Sequence, residues 1–188
     1  MKVIGLTGTM GSGKEVVKDF IKQKYNCYYV TLSDIIKTEM EKKKGAIDRT
    51  TLQDMGNEMR KKYGNHILAM LAVEYLGRDK QAIIVDGIRH TAEIDYLKKK
   101  FGDGFKLVAV DAPQEMRFQR ISQRGREDPN AWEEFVKADE RDQGIGEAEY
   151  GLHVKDCIDR ADALIVNDGS LEDLQKKVDE VTQKIFAG

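Results

Sequence analysis

Five short apolar runs punctuate the chain: KVIGLT from Lys2, CYYVTL from Cys27, AIIVDG from Ala82, FKLVAVD from Phe105 and ADALIVN from Ala161. Rich in β-branched and aromatic residues, each predicts a buried parallel strand. Between them the apolar positions take up helical spacing, as in Val16, Val17, Phe20 and Ile21 after the first run and Leu171, Leu174, Val178, Val181 and Ile185 at the end. Strand and helix in alternation predict an α/β fold. Residues 33–78 hold no strand pattern and predict several helices inserted between the second and third strands, broken near Gly45 and Gly64. A second polar stretch without a strand runs from Gln114 to Arg160, with RGREDPN as its clearest loop. The chain has no internal repeat, low-complexity segment or Pro-rich linker.

At 188 residues the chain fits a single domain that buries most of its apolar surface without disulfides or a structural metal. With 34% charged residues but a net charge of only −2, it is not expected to bind nucleic acid or membrane surfaces generally, so any basic site must be local. Cys27 and Cys157 lie far apart and form no CxxC or Cys/His cluster, which fits two reduced thiols. No run approaches the length of a membrane span, and KVIGLTG lacks a signal peptide's basic-then-apolar plan. The expected location is the cytoplasm.

The stretch GLTGTMGSGKEVVKDF, Gly5 to Phe20, joins the first strand to a helix through a glycine-rich turn. Gly8, Gly11 and Gly13 let the backbone curl so that its N–H groups point at phosphate oxygens, and the helix N-terminus adds a favourable dipole. The turn therefore predicts an ATP-binding loop made of Gly8, Thr9, Met10, Gly11, Ser12, Gly13, Lys14, Glu15 and Val16, with Lys14 bridging the outer phosphates. The bland alternative is a plain glycine turn. Glu15 stands where a Ser or Thr hydroxyl ordinarily meets magnesium, and Val16 supplies no hydroxyl either. A carboxylate there could ligate the metal itself, or turn aside and leave it to water, Asp34, Asp86 and the phosphates.

GLTGTMGSGK and the C-terminal ADALIVNDGSLEDLQKKVDEV resemble the two ends of dephospho-CoA kinases, and GAIDRTTL, Gly45 to Leu52, extends the likeness. The middle differs. IIVDGIRHTAEIDYL resembles the DGFPRT segment of adenylate-kinase-like nucleoside monophosphate kinases, and the apolar Pro-Leu-Leu-Phe-Glu segment of dephospho-CoA kinases is missing. The mixture is similar to that of dephospho-CoA-kinase-like P-loop proteins. The resemblance implies a P-loop NTPase fold, a five-stranded parallel sheet in order 2-3-1-4-5 flanked by helices. It also implies one kinase domain over 1–188, with an acceptor-binding helical insertion at 33–78 and a lid at 114–145. ATP would be the phosphoryl donor, with magnesium (Mg2+).

Acceptor-side candidates follow the second strand in TLSDIIK, since such kinases meet the acceptor at the carboxyl ends of the strands. Asp34 could bind a magnesium water or an acceptor hydroxyl, with Lys37 beside it; Ser33 or Asp34 could equally be a helix N-cap. Arg60 in NEMRKKYG could reach an acceptor phosphate, or could join Lys61 and Lys62 on a solvated helix face. Asp86 ends the third strand and is the Walker-B candidate, able to hold magnesium or its water. Arg89 in DGIR could clamp a phosphate bidentately. The alternative is a strand-end Asp86 that caps the helix of HTAEIDYL, with an incidental arginine. His90 fits a turn residue better than a general base.

In PQEMRFQRISQRGRED the arginines at 117, 120 and 124 share one face if the segment is helical. The bland answer is salt bridging to Glu127, Asp128, Glu133, Glu134, Asp139 and Glu140. The resemblance instead implies that Arg120, Arg124 and Arg141 act with Lys14 to gather charge on the transferred phosphoryl group. Asn167 in NDGS lies where such kinases pass the nucleotide base, while Asp168 or Ser170 suits an N-cap ahead of LEDLQKKV, with Glu172 and Asp173 in the first turn.

The sequence thus predicts an ATP-dependent phosphotransferase acting on a nucleoside or deoxynucleoside monophosphate, since DGIRHT resembles the acceptor-phosphate segment of that group. Dephospho-CoA is the alternative acceptor, supported by both chain ends. A nucleotide-binding regulator without catalysis is the alternative of another class, to which the missing loop hydroxyl points.

Overall fold

A computed structural model describes residues 1–42, 49–76, 82–124, 129 and 131–187. Its strands are β1 (Lys2–Gly8), β2 (Tyr28–Thr31), β3 (Ala82–Asp86), β4 (Phe105–Asp111) and β5 (Ala163–Val166). They form one parallel sheet in the order β2-β3-β1-β4-β5, as the resemblance implies. Alternate residues of each central strand face opposite sides of the sheet, and the core divides accordingly. Val3, Ile83, Val85 and Leu107 belong to one apolar cluster, while Ile4, Leu6, Ile84, Val108 and Val110 belong to another.

The second cluster is covered by α1 (Lys14–Tyr25) and α9 (Leu171–Ala187) through Val17, Ile21, Leu174 and Val178. The first is covered by α2 (Leu32–Lys42), α3 (Arg49–Tyr63), α4 (Ile67–Glu74), α5 (Thr91–Phe101) and α8 (Val154–Asp159). The expected insertion is thus helical, yet Met40, Met55, Met59 and Leu68 make it part of the main core. Gly64 breaks it as expected, at φ +97° with its N–H donating to Arg60 O at 2.8 Å. Gly45, with the first half of the GAIDRTTL segment, lies outside the described residues.

The stretch after β4 carries α6 (Gln114–Ser122) and α7 (Trp132–Gln143) before α8, with no strand among the described residues. Ile121 and Phe135 bury Met10 of the glycine turn between them. The α6–α7 region is therefore packed onto that turn.

Two local expectations need correction. The edge strand β5 is not buried: Leu164 is 51% exposed and Val166 38%, because only alternate residues meet a helix layer. The start of α2 is also two residues earlier than a cap at Ser33 requires, and three earlier than one at Asp34. The helix begins at Leu32, and the Thr31 hydroxyl accepts from Ser33 N at 3.3 Å. Among the described residues no helix is long and apolar enough to cross a membrane.

Candidate active site

The turn between β1 and α1 depends on backbone that only glycine adopts readily. Gly8 has φ +143°, and a Cβ there would lie 1.9 Å from Val110 O on the neighbouring strand. Gly13 precedes α1 at φ +94°, where a Cβ would lie 2.4 Å from Asn167 Nδ2. The helix starts at once, Val16 N and Val17 N donating to Gly13 O at 3.0 and 3.2 Å. Three side chains brace the turn from outside. Thr9 Oγ1 donates to Asp111 Oδ1 at 2.6 Å, Asn167 Nδ2 donates to Ser12 O at 2.9 Å, and Arg117 Nη1 donates to Met10 O at 3.1 Å. Lys14 lies along its own loop, donating to Gly8 O at 2.8 Å and Thr9 O at 3.1 Å.

Asp86 ends β3 in register with Leu6 of β1 and Thr31 of β2, which sets it beside the turn. It is 8% exposed. Tyr29 OH donates to its Oδ2 at 3.3 Å, and burial together with the Asp86 carboxylate pushes the Tyr29 phenol well up, keeping it a donor. Asp86 Oδ1 is buried without a hydrogen-bond partner, and so are Ser12 Oγ and Arg120 Nη1. Only Asn57 Oδ1 joins them among the described residues. An orphaned buried polar atom costs about 1–3 kcal/mol. Their gathering around one turn therefore points to a polar ligand that satisfies them.

A cavity of about 510 Å³ runs past the turn from Met10 to Glu15 and reaches Lys37, Arg60, Asp86, Arg89 and Arg124, with Ile36, Leu52, Leu68 and Leu152 as apolar wall. The structure thus brings together most of the expected site. Glu15 is exposed on the first turn of α1 and lines the cavity, whereas Gly8, Thr9, Val16 and Asn167 support the turn without lining it. Asp34 also falls outside the lining; it pairs at the surface with Lys37 at 3.0 Å.

Arg60 is not on a solvated face. It is 2% exposed and donates from Nε and Nη2 to Glu93 Oε1 at 3.2 and 2.9 Å. Arg89 meets Asp142 Oδ1 at 2.5 Å, with the guanidinium still lining the cavity. Asp86 does not cap α5. His90 does, accepting from Ala92 N at 3.1 Å while Glu93 Oε2 accepts from His90 N at 3.1 Å. Burial lowers the His90 pKa, which fits a neutral ring that accepts at Nδ1.

The arginine stripe divides. Helix α6 stops at Ser122, so Arg124 leaves its face. Arg117 is buried in an ion pair with Asp139 and bonds Met10 O and Ala112 O, so it braces the fold. Arg120 Nη2 donates to Asn167 O at 3.0 Å, and burial, with the Arg124 charge nearby, lowers its pKa. Arg141 points away, paired with Asp54 and Glu147, each at 2.8 Å. Glu127 and Asp128 lie outside the described residues. In NDGS, Ser170 Oγ accepts from Asp173 N at 3.1 Å and caps α9 as expected.

Glu93, Tyr29 and Asp142 escaped the sequence reading. Glu93 follows His90 by three residues, the spacing of a capping box, and that was its signal. Asp142 has none, since Arg89 is 53 residues away. Among the described residues no three His, Cys, Asp or Glu side chains could together hold a metal ion. The oxygens of Asp86 and Glu15 therefore fit a hard cation that arrives with phosphate oxygens of its own, rather than a stand-alone metal centre.

Residues 4–142 match the family model of the AAA domain AAA_18. A UPF0200 protein of Methanocaldococcus jannaschii is 34% identical over 193 residues, spanning 99% of this chain and 91% of its own. Another from Thermococcus onnurineus is 32% identical, spanning 98% of each. Among solved structures, TT1252 from Thermus thermophilus matches with a TM-score of 0.64 at 21% identity over 97% of both chains. A shikimate kinase from Aquifex aeolicus matches with a TM-score of 0.55 at 15% identity over 99% of both. These likenesses show a P-loop kinase-like fold. With matches of that length and identity, the chain belongs to the UPF0200 family and carries its phosphate loop within an AAA domain.

Proposed function

We propose that this protein is a nucleotide kinase that moves the γ-phosphoryl group of ATP to a nucleoside or deoxynucleoside monophosphate. The observation that carries the reading is one cavity lined both by the glycine turn with Lys14 and by Arg60 and Arg89, with Asp86, whose Oδ1 is unpartnered, in the same lining. Backbone N–H groups of the turn and the α1 N-terminus hold the phosphates of ATP. Lys14 exchanges its two loop carbonyls for phosphate oxygens. Arg89 holds the acceptor's phosphate, and Arg60, paired with Glu93, fixes the turn that carries Arg89. An acceptor oxygen then attacks the γ-phosphorus and ADP leaves, while Arg124 and Arg120 answer the charge that spreads over the transferred group. Magnesium, when bound, neutralises phosphate charge, and Asp86 and Glu15 are the residues that would hold it.

The test is acceptor-dependent release of ADP with a panel of nucleoside monophosphates, deoxynucleoside monophosphates and dephospho-CoA. Turnover of a monophosphate is expected. Turnover of dephospho-CoA alone would move the activity to that acceptor. ATP binding without turnover of any acceptor, at any magnesium or manganese concentration, would leave a nucleotide-binding regulator in place of a kinase.

A further inference from the structure

We propose that Asp142 is a built-in counter-ion that occupies Arg89 until a phosphate monoester displaces it, so that the site selects phosphate monoesters over carboxylates. The proposal rests on the reading that Arg89 meets the acceptor. Asp142 is 1% exposed and meets Arg89 Nη1 from outside the cavity, whereas the Arg89 side chain is 29% exposed and lines it. The guanidinium thus stands between an internal carboxylate and an open acceptor site. A carboxylate ligand would only match Asp142 in charge and geometry. A phosphate monoester brings about 1.5 to 2 negative charges and three acceptor oxygens, and so wins the guanidinium.

Displacement has a direction built into the fold. Asp142 sits one helical turn from Asp139 on α7, and the two share a face. Asp139 is paired with Arg117, whose Nη1 also donates to Met10 O of the glycine turn. The same helix face therefore touches the acceptor arginine at one turn and braces the nucleotide loop at the turn before. A buried carboxylate whose guanidinium turns to a ligand favours a position with more water around it. The seam it would leave by is polar: Gln53 Nε2 donates to Asp142 at 3.4 Å, Arg141 pairs with Asp54, and Asn57 donates to Glu147 at 3.1 Å. Water can replace each of these bonds, so α7 can pivot about Phe135, which stays buried against Met10 and Ile121.

The chain's only tryptophan, Trp132, opens α7 and packs edge-on against Phe118 with ring centroids 5.3 Å apart, so its emission reports that helix. Phenyl phosphate and benzoate form a matched pair of probes. In the wild type, phenyl phosphate should bind and shift Trp132 emission, and benzoate should do neither at the same concentrations. Asp142→Asn should bind phenyl phosphate about ten-fold tighter, the effect of removing one competing charge-assisted bond. It should also narrow the preference over benzoate and show a shifted Trp132 emission before any ligand is added. Asp54→Asn removes a nearby charge away from Arg89 and should change neither affinity.

Weaker phenyl phosphate binding in Asp142→Asn would mean that Asp142 merely orients Arg89, and would overturn the proposal. Equal binding of the two probes by the wild type would overturn it without any variant, and so would binding of neither. Failure of the kinase reading shows separately, as absent ADP release across the acceptor panel with these binding effects intact.

Discussion

Arg60 and Glu93 pair wholly inside the protein, 2% and 0% exposed, and the Glu93 carboxylate that receives the guanidinium also accepts from Arg89 N at 2.9 Å and His90 N at 3.1 Å. One carboxylate thus fixes the turn after β3 to helix α3. Glu93→Ala would leave the Arg60 charge buried and two backbone N–H groups unpaired, a loss of about 3–5 kcal/mol. Urea unfolding should show a lower midpoint at unchanged slope. A loss of about 1 kcal/mol or less, the range of exposed pairs, would mean that Arg60 reaches solvent or another anion once Glu93 is gone.

Lys14 is held along the glycine turn by Gly8 O and Thr9 O, so it is already within the loop it is expected to serve. Lys14→Ala should weaken ATP binding by about ten-fold or more, the scale of one charge-assisted phosphate contact. Calorimetric titration of folded variant with ATP measures it. Unchanged affinity would remove the phosphate-loop assignment altogether.

Arg89 and Arg124 line the same cavity but are expected to act at different stages. Arg89→Ala should chiefly raise the acceptor KM. Arg124→Ala should chiefly lower kcat, since an interaction made only in the transition state appears in the rate. Steady-state kinetics with both substrates varied separates the two. If Arg89→Ala leaves acceptor binding untouched while ATP binding collapses, the two sides of the cavity have been assigned the wrong way round.

The fold was legible because its strands are compact apolar runs; FKLVAVD coincides with β4 at both ends. What the runs could not convey was which strand lacks a helix over one face, and Leu164 and Val166 are exposed for that reason. At the site, local chemistry was legible and pairing was not. Lys61 and Lys62 disguised Arg60 as surface, although Met55 and Met59 mark the buried face of the same helix. The spacing of Arg117, Arg120 and Arg124 predicted one face, but spacing cannot say that α6 ends at Ser122 or that Asp139 returns to take Arg117. Partners brought together only by the fold, as Asp142 and Arg89 are, leave no local trace.

His90 makes stability depend on pH in a stated direction. Its Nδ1 accepts the cap bond from Ala92 N, so Nε2 carries the proton and donates to Glu149 O at 2.8 Å. Burial lowers its folded pKa below the ordinary value of 6.5, so the unfolded chain binds the proton first as pH falls. The contribution is complete above 6.5 and is lost as pH drops through 6.5 toward the lower folded value. Unfolding free energies measured between pH 8 and pH 5 should therefore fall more steeply for the wild type than for His90→Asn, whose amide oxygen can accept the same bond. Parallel profiles would remove His90 as the source.

Glu15 carries the sharpest question in the site, because on the proposed reading a carboxylate there would stand close to the phosphates. It sits on the first turn of α1, exposed and lining the cavity, with Asp86 in the same lining. A negative side chain is favourable at a helix N-terminus, so the residue suits the ligand-free helix whatever it does in catalysis. With phosphates bound the balance changes. Like charges at contact distance repel unless a cation intervenes, and a hard cation accepts carboxylate oxygen readily. The arrangement should therefore make phosphate binding unusually dependent on the metal. Turnover should be slow and should rise with magnesium or manganese well beyond the concentration that saturates ATP. Glu15→Ser restores a hydroxyl and removes the charge. If the carboxylate is merely tolerated, the variant should lose the steep metal dependence and keep or raise kcat; if Glu15 is a working ligand, kcat should fall at every metal concentration. A variant whose metal dependence and kcat both match the wild type would mean that Glu15 stays clear of the phosphates and that Asp86 alone supplies the protein's share of the metal site.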